Sequence, residues 1–238
     1  MSRKSADKRQ PVHAQCLDAG GADDLRFLPS ANEHHVAMAL CALAGLGAPD
    51  WAVADPEREH GPWRAALKAE CELADPLRCL GDAAAYPALV TTMRARLARV
   101  GTRSTVRALL PHVLPGAATG ALHPTIRLGY GLRFGSKTEV AAALAQMIAR
   151  HVQVPLASAP VAARLRGVAL AQADALPFAF CMQRFASRLV ELVGAGAYPQ
   201  PVAASMDDIA SLALEMYRGT RHVFALHMVS AVEASREL

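Results

Sequence analysis

The chain has 238 residues and lacks the motifs that mark several common classes of enzyme. Its five cysteines include no Cys-x-x-Cys pair, which argues against a zinc motif and fits reduced thiols in the cytoplasm. The sequence has neither a Gly-x-Ser-x-Gly hydrolase motif nor a Gly-x-Gly-x-x-Gly nucleotide fingerprint. No basic stripe is interleaved with aromatic residues, so we expect no nucleic-acid partner.

Long apolar runs are also missing. The most apolar stretch, residues 35–51, is interrupted by Gly45, Gly47 and Pro49, and it is too short for a membrane-spanning helix. The start of the chain is basic, and the polar sequence that follows lacks the apolar region that a signal peptide has at this point. We therefore expect a soluble cytoplasmic protein with no membrane partner.

Residues that favour helices dominate the amino-acid composition. The chain is 53% hydrophobic and only 19% charged, and its commonest residues, alanine and leucine, lose little entropy in a helix. No stretch alternates as a half-buried strand would, and no repeat has a fixed period. The sequence predicts an all-α fold, a single multi-helix bundle of about eight to ten helices over residues 30–238. Residues 1–29 are predicted to form a disordered basic tail.

Capping residues and prolines indicate where several helices begin and end. Ser136 is a predicted N-cap with Glu139 as its capping-box partner, and Ser205 is a predicted N-cap near the end of the chain. The segment between residues 102 and 119 is predicted to be a short helix broken at Pro111 and Pro115.

Nine histidines provide the main candidates for chemistry. A helical bundle builds a metal site from inward side chains on several helices, and imidazole suits iron, copper and zinc. The chain has no His pair at i, i+4 and no pair of Glu-x-x-His motifs, so spacing alone leaves a core or surface role open. His123 lies at the start of an apolar stripe that continues through Ile126, Tyr130 and Phe134.

Three segments together resemble the questin oxidase-like family. They are NEHHVAMALCALAGLGAPDW, GALHPTIRLGYGLRFGSKTEVAAALAQMIA and FALHMVSAVEASREL, in this order. The central one is the most specific, because it contains the family's G-x-x-HP-x-I-x-LGY element. The resemblance implies an oxidoreductase that uses O₂ to open a ring of a polycyclic aromatic ketone, such as an anthraquinone, by Baeyer–Villiger-type oxidation.

The same resemblance implies cofactors and site residues. Family members are associated with NADPH and with a non-haem Fe(II) ion bound by histidines, and His35, His123 and His227 match the three elements. Tyr130 would orient the small aromatic substrate or stabilise developing oxyanion charge. His222 is a candidate for a further ligand, and Arg127 is a weaker candidate for the site. The predicted walls of the substrate cavity are Met38, Leu128, Phe134, Phe224 and Met228.

Two other classes of function stay open. In a non-catalytic helical module that binds a small molecule or a protein, the three histidines would lie far apart or bond to core carbonyls. In an acid/base enzyme of polyketide metabolism without a metal, one histidine would lie beside a carboxylate.

Overall fold

The computed structural model describes residues 70–154, 190–191, 204–221 and 223–238, and these residues form helices and no strand. The predicted all-α fold is therefore confirmed. The predicted tail and the first predicted helices lie outside the described residues. The α-helices, numbered here from α1 to α6, are Tyr86–Val100, Thr102–Val113, His123–Arg133, Lys137–Ala149, Met206–Thr220 and Val223–Ser235.

Helices α1 and α2 are separated by Gly101, whose φ of 84° ends α1. The predicted break at Pro111 is wrong, because α2 runs through this proline to Val113. Proline cannot donate a hydrogen bond to the carbonyl four residues earlier. Here that carbonyl belongs to Arg107, an exposed residue, so the bond is lost on the solvent side of α2. The chain then tightens into the 3₁₀ turn Leu114–Gly116, which includes Pro115.

Helices α3 and α4 form an antiparallel hairpin at the centre of the fold. Ser136 begins α4 as predicted, because its hydroxyl accepts a hydrogen bond from the Glu139 backbone N–H at 3.2 Å. The predicted capping box with Glu139 is wrong, because the Ser136 N–H donates to the Gly131 carbonyl oxygen and the Glu139 carboxylate binds Arg127. The ten residues Val140–Ala149 are all buried, since α4 packs against α1 on one side and α3 on the other. This packing makes α4 the core helix, as expected for a helix that is apolar on every face.

Helices α5 and α6 form a second pair. Ser205 caps α5 in a capping box with Asp208, which confirms the predicted N-cap. Arg221 ends α5 in the left-handed conformation, with φ of 52°. Helix α6 packs against α5 and also against α3, and it thereby links the two hairpins.

None of the helices in the described ranges is both long and apolar enough to cross a lipid bilayer.

Candidate active site

Two of the predicted histidines lie side by side in the interior. His123 is the first residue of α3 and His227 lies in the second turn of α6. Their Nε2 atoms are 3.1 Å apart and their ring centroids are 4.5 Å apart. Both side chains are buried, with exposed fractions of 5% and 7%. The structure thus brings together two residues that are 104 positions apart in sequence.

Close packing of two helices that run in the same direction produces this pair. The histidines meet near the starts of α3 and α6, and Gly129 meets Ala234 near their ends. A Cβ atom at Gly129 would lie only 2.2 Å from the Ala234 carbonyl oxygen, so the absent side chain is what permits the approach. Ile126 and Ala231 fill the space between the two contacts.

A turn with unusual backbone geometry orients the His123 ring. Gly120, Ala121 and Leu122 all have positive φ, at 56°, 54° and 71°. Holding the two non-glycine residues in this conformation costs about 1–3 kcal/mol each. It places the Gly120 carbonyl oxygen 2.5 Å from His123 Nδ1. Because a carbonyl only accepts, Nδ1 has the proton, and the lone pair of Nε2 faces His227.

The geometry of the pair fits two ligands of one metal ion. Two nitrogens that are each about 2.1 Å from one ion lie roughly 3.0–3.4 Å apart at usual coordination angles. The bond from His123 Nδ1 to a backbone carbonyl is the support that metal-binding histidines usually have. The same 3.1 Å also fits an N–H···N hydrogen bond between neutral rings. Within the described ranges, no third His, Cys, Asp or Glu completes a metal-binding group.

A buried ion pair fixes α3 to α4 one turn from His123. Arg127 donates to both carboxylate oxygens of Glu139, with distances of 2.6 Å from Nε and 3.0 Å from Nη2. The side chains are only 2% and 3% exposed. Arg127 is therefore a structural cation that holds the hairpin.

The other predicted site residues occupy different surroundings. Tyr130 is half-buried and packs with Ile126 on the side of α3 that faces α6, the side on which His123 lies. Leu128 is fully buried in the core cluster that includes α1 and α4. Phe134 and Met228 are half-buried, at the end of α3 and beside His227 respectively.

The remaining predictions concern residues that the structure does not describe. His35, Met38 and His222 lie outside the described ranges, as does the side chain of Phe224. Their proposed roles therefore remain predictions.

Comparison with known proteins shows which family the chain belongs to. The model of the questin oxidase-like family matches residues 33–209, which is well over half of the chain. The protein belongs to the questin oxidase-like family. The matched region includes His35 and His123, whereas His227 lies beyond its end. A search of curated proteins found no match.

Two features that position the site were missed from the sequence. Gly129 was given no role, although a glycine inside a helix often indicates a close contact between backbones. The pairing of Arg127 with Glu139 was also missed. An arginine between the apolar residues Ile126 and Leu128 was the available signal, because a buried cation needs a buried partner.

Proposed function

We propose that this member of the questin oxidase-like family is an oxidoreductase of polyketide metabolism. Its substrate would be a polycyclic aromatic ketone such as an anthraquinone. The enzyme would open a ring of this ketone by O₂-dependent oxidation at a histidine-bound Fe(II) site. The observation that supports this function best is the buried His123–His227 pair, with Nε2 atoms 3.1 Å apart. Family membership supports an oxidoreductase of polyketide pathways.

The reaction balances with NADPH as the reductant. One oxygen atom of O₂ is inserted between the carbonyl carbon and an adjacent ring carbon, so a C–C bond breaks and two C–O bonds form. The other oxygen atom leaves as water, with two electrons and two protons from NADPH and H⁺. Hydrolysis of the resulting lactone then opens the ring.

The histidines would hold the metal through their Nε2 atoms. Gly120 keeps the His123 proton on Nδ1, so His123 Nε2 is available as a ligand. His35 is the proposed third ligand, because it matches the family's first element. A bound Fe(II) ion would supply the one-electron chemistry that O₂ needs in order to react with a ketone.

Tyr130 and the neighbouring apolar groups would bind the substrate. Tyr130 lies two turns after His123 on the side of α3 that faces α6, so its hydroxyl would orient the ketone or stabilise negative charge on its oxygen. Phe134 and Met228 are half-buried near the same helices and provide apolar surface for a flat ring system.

A second candidate is an acid/base enzyme without a metal. The 3.1 Å separation suits a proton shared between the two rings, and the Gly120 carbonyl fixes one tautomer. Such an enzyme would catalyse cyclisation or dehydration of a polyketide and would consume no O₂.

The test is oxygen uptake by protein loaded anaerobically with Fe(II), with NADPH and a panel of anthraquinones. We expect substrate-dependent uptake and a product that contains one atom from isotopically labelled O₂. His123→Ala should abolish uptake, whereas His112→Ala, at an exposed position on α2, should leave it unchanged.

Two results would contradict the proposal. One is an absence of uptake with every substrate in the folded, Fe(II)-loaded protein. The other is equal turnover by metal-stripped protein without O₂, which would favour the acid/base enzyme.

A further inference from the structure

The turn that orients His123 has a backbone conformation that other parts of the fold must hold in place. Ala121 and Leu122 have positive φ, which non-glycine residues keep only where the surrounding structure imposes it. The carbonyl oxygen of Gly120, the residue before them, accepts hydrogen bonds from His123 Nδ1 and from the His123 backbone N–H. A movement of this turn would therefore move the acceptor that fixes the proton on the His123 ring.

Contacts with α3 and α6 hold the turn on the side of the histidine pair. The Thr125 hydroxyl donates to the Ala117 carbonyl oxygen at 3.1 Å, which ties the first turn of α3 to the chain before the turn. The Leu122 side chain packs in the small cluster that joins α3 to α6 and includes Ile126 and Ala231. These contacts fix the turn relative to the two helices that contain the histidines.

The segment that follows the core helix α4, residues 151–154, also bonds to the chain around this turn. The Val154 N–H donates to the Pro115 carbonyl oxygen at 3.1 Å. The Val152 N–H donates to the hydroxyl oxygen of Thr119 at 3.3 Å. The first bond joins two backbones, whereas the second depends on a side chain and can be removed by substitution.

Thr119 is placed to transmit the position of this segment to His123. Its side chain is buried, with an exposed fraction of 3%, and it directly precedes Gly120 in the chain. Its hydroxyl therefore connects the segment after α4 to the peptide unit next to the acceptor of His123 Nδ1. Val152 is only half-buried, so loss of this bond should cost less stability than a donor left unpaired in the core.

We propose that Thr119 is a positioning residue for the histidine pair. Its hydroxyl holds the turn so that the Gly120 carbonyl keeps the proton on His123 Nδ1 and directs the lone pair of Nε2 towards His227. Thr119 acts through Gly120 and is not itself a ligand. This inference rests on the proposed function for the role of the metal ion, whereas the tautomer of His123 can be measured without a metal.

The test measures the tautomer of His123 by nitrogen NMR of the metal-free protein, at a pH at which the histidine rings are neutral. The signals of His123 are identified by their loss in His123→Ala. Wild-type protein should show one tautomer, with the proton on Nδ1. Thr119→Val keeps the shape of the side chain without its hydroxyl and should show a mixture of both tautomers, as should the smaller Thr119→Ala. Thr119→Ser keeps the hydroxyl and should show the wild-type signals.

Titration with cobalt(II) is the second measurement. Thr119→Val should bind cobalt about tenfold more weakly than wild type, the lower end of the loss that follows removal of a supporting contact around a metal ligand. Thr105→Val is the matched control, because Thr105 is also buried and its hydroxyl donates to the Gly101 carbonyl oxygen at the start of α2. This control should leave the tautomer of His123 and the cobalt affinity at their wild-type values.

Three results would overturn the inference. One is a wild-type His123 ring that populates both tautomers. Another is a Thr119→Val variant that keeps the wild-type tautomer or the wild-type cobalt affinity, which would limit Thr119 to folding. The third is a Thr119→Ser variant that resembles Thr119→Val, which would assign the effect to the methyl group. The proposed oxidation fails separately, because a protein that binds cobalt in this way but takes up no O₂ would contradict only the oxidation. Wild-type protein that binds no cobalt would overturn both.

Discussion

Substitution of Gly129 by alanine tests how the histidine pair is held. The added Cβ would lie 2.2 Å from the Ala234 carbonyl oxygen and 2.6 Å from the Ala234 Cβ. The nearest atom is backbone within α6, so no flexible side chain is available to move aside. Helix α6 must therefore move away from α3 by roughly 1 Å, or the two helices must rotate.

The expected cost follows from these distances. Overpacking of a closely packed interface costs about 1–3 kcal/mol. Alanine recovers up to about 1 kcal/mol of this, because glycine is a poor helix former. Because the clash is with backbone, its cost should lie in the upper part of this range, at about 2–3 kcal/mol, which leaves a net loss of about 1–2 kcal/mol in the free energy of unfolding. The shift also separates His123 from His227, which should weaken metal binding about tenfold or more, as loss of supporting contacts around metal ligands does.

Urea unfolding and titration with cobalt(II) measure the two effects. Gly219→Ala is the matched control, because Gly219 lies in α5 and a Cβ atom added there would have no neighbouring atom within 4 Å. This control should stabilise the protein by about 0.5–1 kcal/mol and leave cobalt affinity unchanged. If Gly129→Ala matched the control in both measurements, the close contact with Ala234 would not set the position of the histidines.

Other substitutions test the surrounding structure. Glu139→Ala removes the carboxylate that pairs with the buried Arg127 cation and should cost about 3–5 kcal/mol in urea unfolding, whereas changing both residues to leucine should recover most of this loss. Ser136→Ala removes the cap of α4 and should cost about 0.5–2 kcal/mol; a smaller loss in urea unfolding would mean that the cap is dispensable. Burial lowers the pKa of His151 below its usual 6.5, so stability should be complete above that pH and should fall as the pH drops below it. Thermal unfolding from about pH 5 to pH 8 should show this slope in wild type and a weaker one in His151→Gln, and equal slopes would assign the pH dependence to other groups.

Local signals predicted much of the described fold. Ser136 and Ser205 cap their helices as predicted, since a side-chain oxygen before an apolar run satisfies backbone donors that the helix itself leaves free. The predicted break at Pro111 was wrong. Pro111 lies near the end of α2, and the residue one turn earlier, Arg107, is exposed, which reduced the cost of the lost hydrogen bond.

The site was harder to predict, because it depends on contacts between distant segments. The order of the family's elements indicated His123 and His227, and the structure places them together. The left-handed turn at Gly120–Leu122 had no local signal, since alanine and leucine rarely adopt positive φ.

Metal content is the measurement that tests the central claim most directly. Purified protein would be loaded anaerobically with Fe(II), desalted and analysed for iron, together with His35→Ala, His123→Ala, His227→Ala and the control His112→Ala. We expect close to one iron per chain in wild type and in the control, and a large loss in each of the other three variants. Wild-type protein that retains no iron, or His123→Ala and His227→Ala variants that retain all of it, would contradict a metal site at this histidine pair.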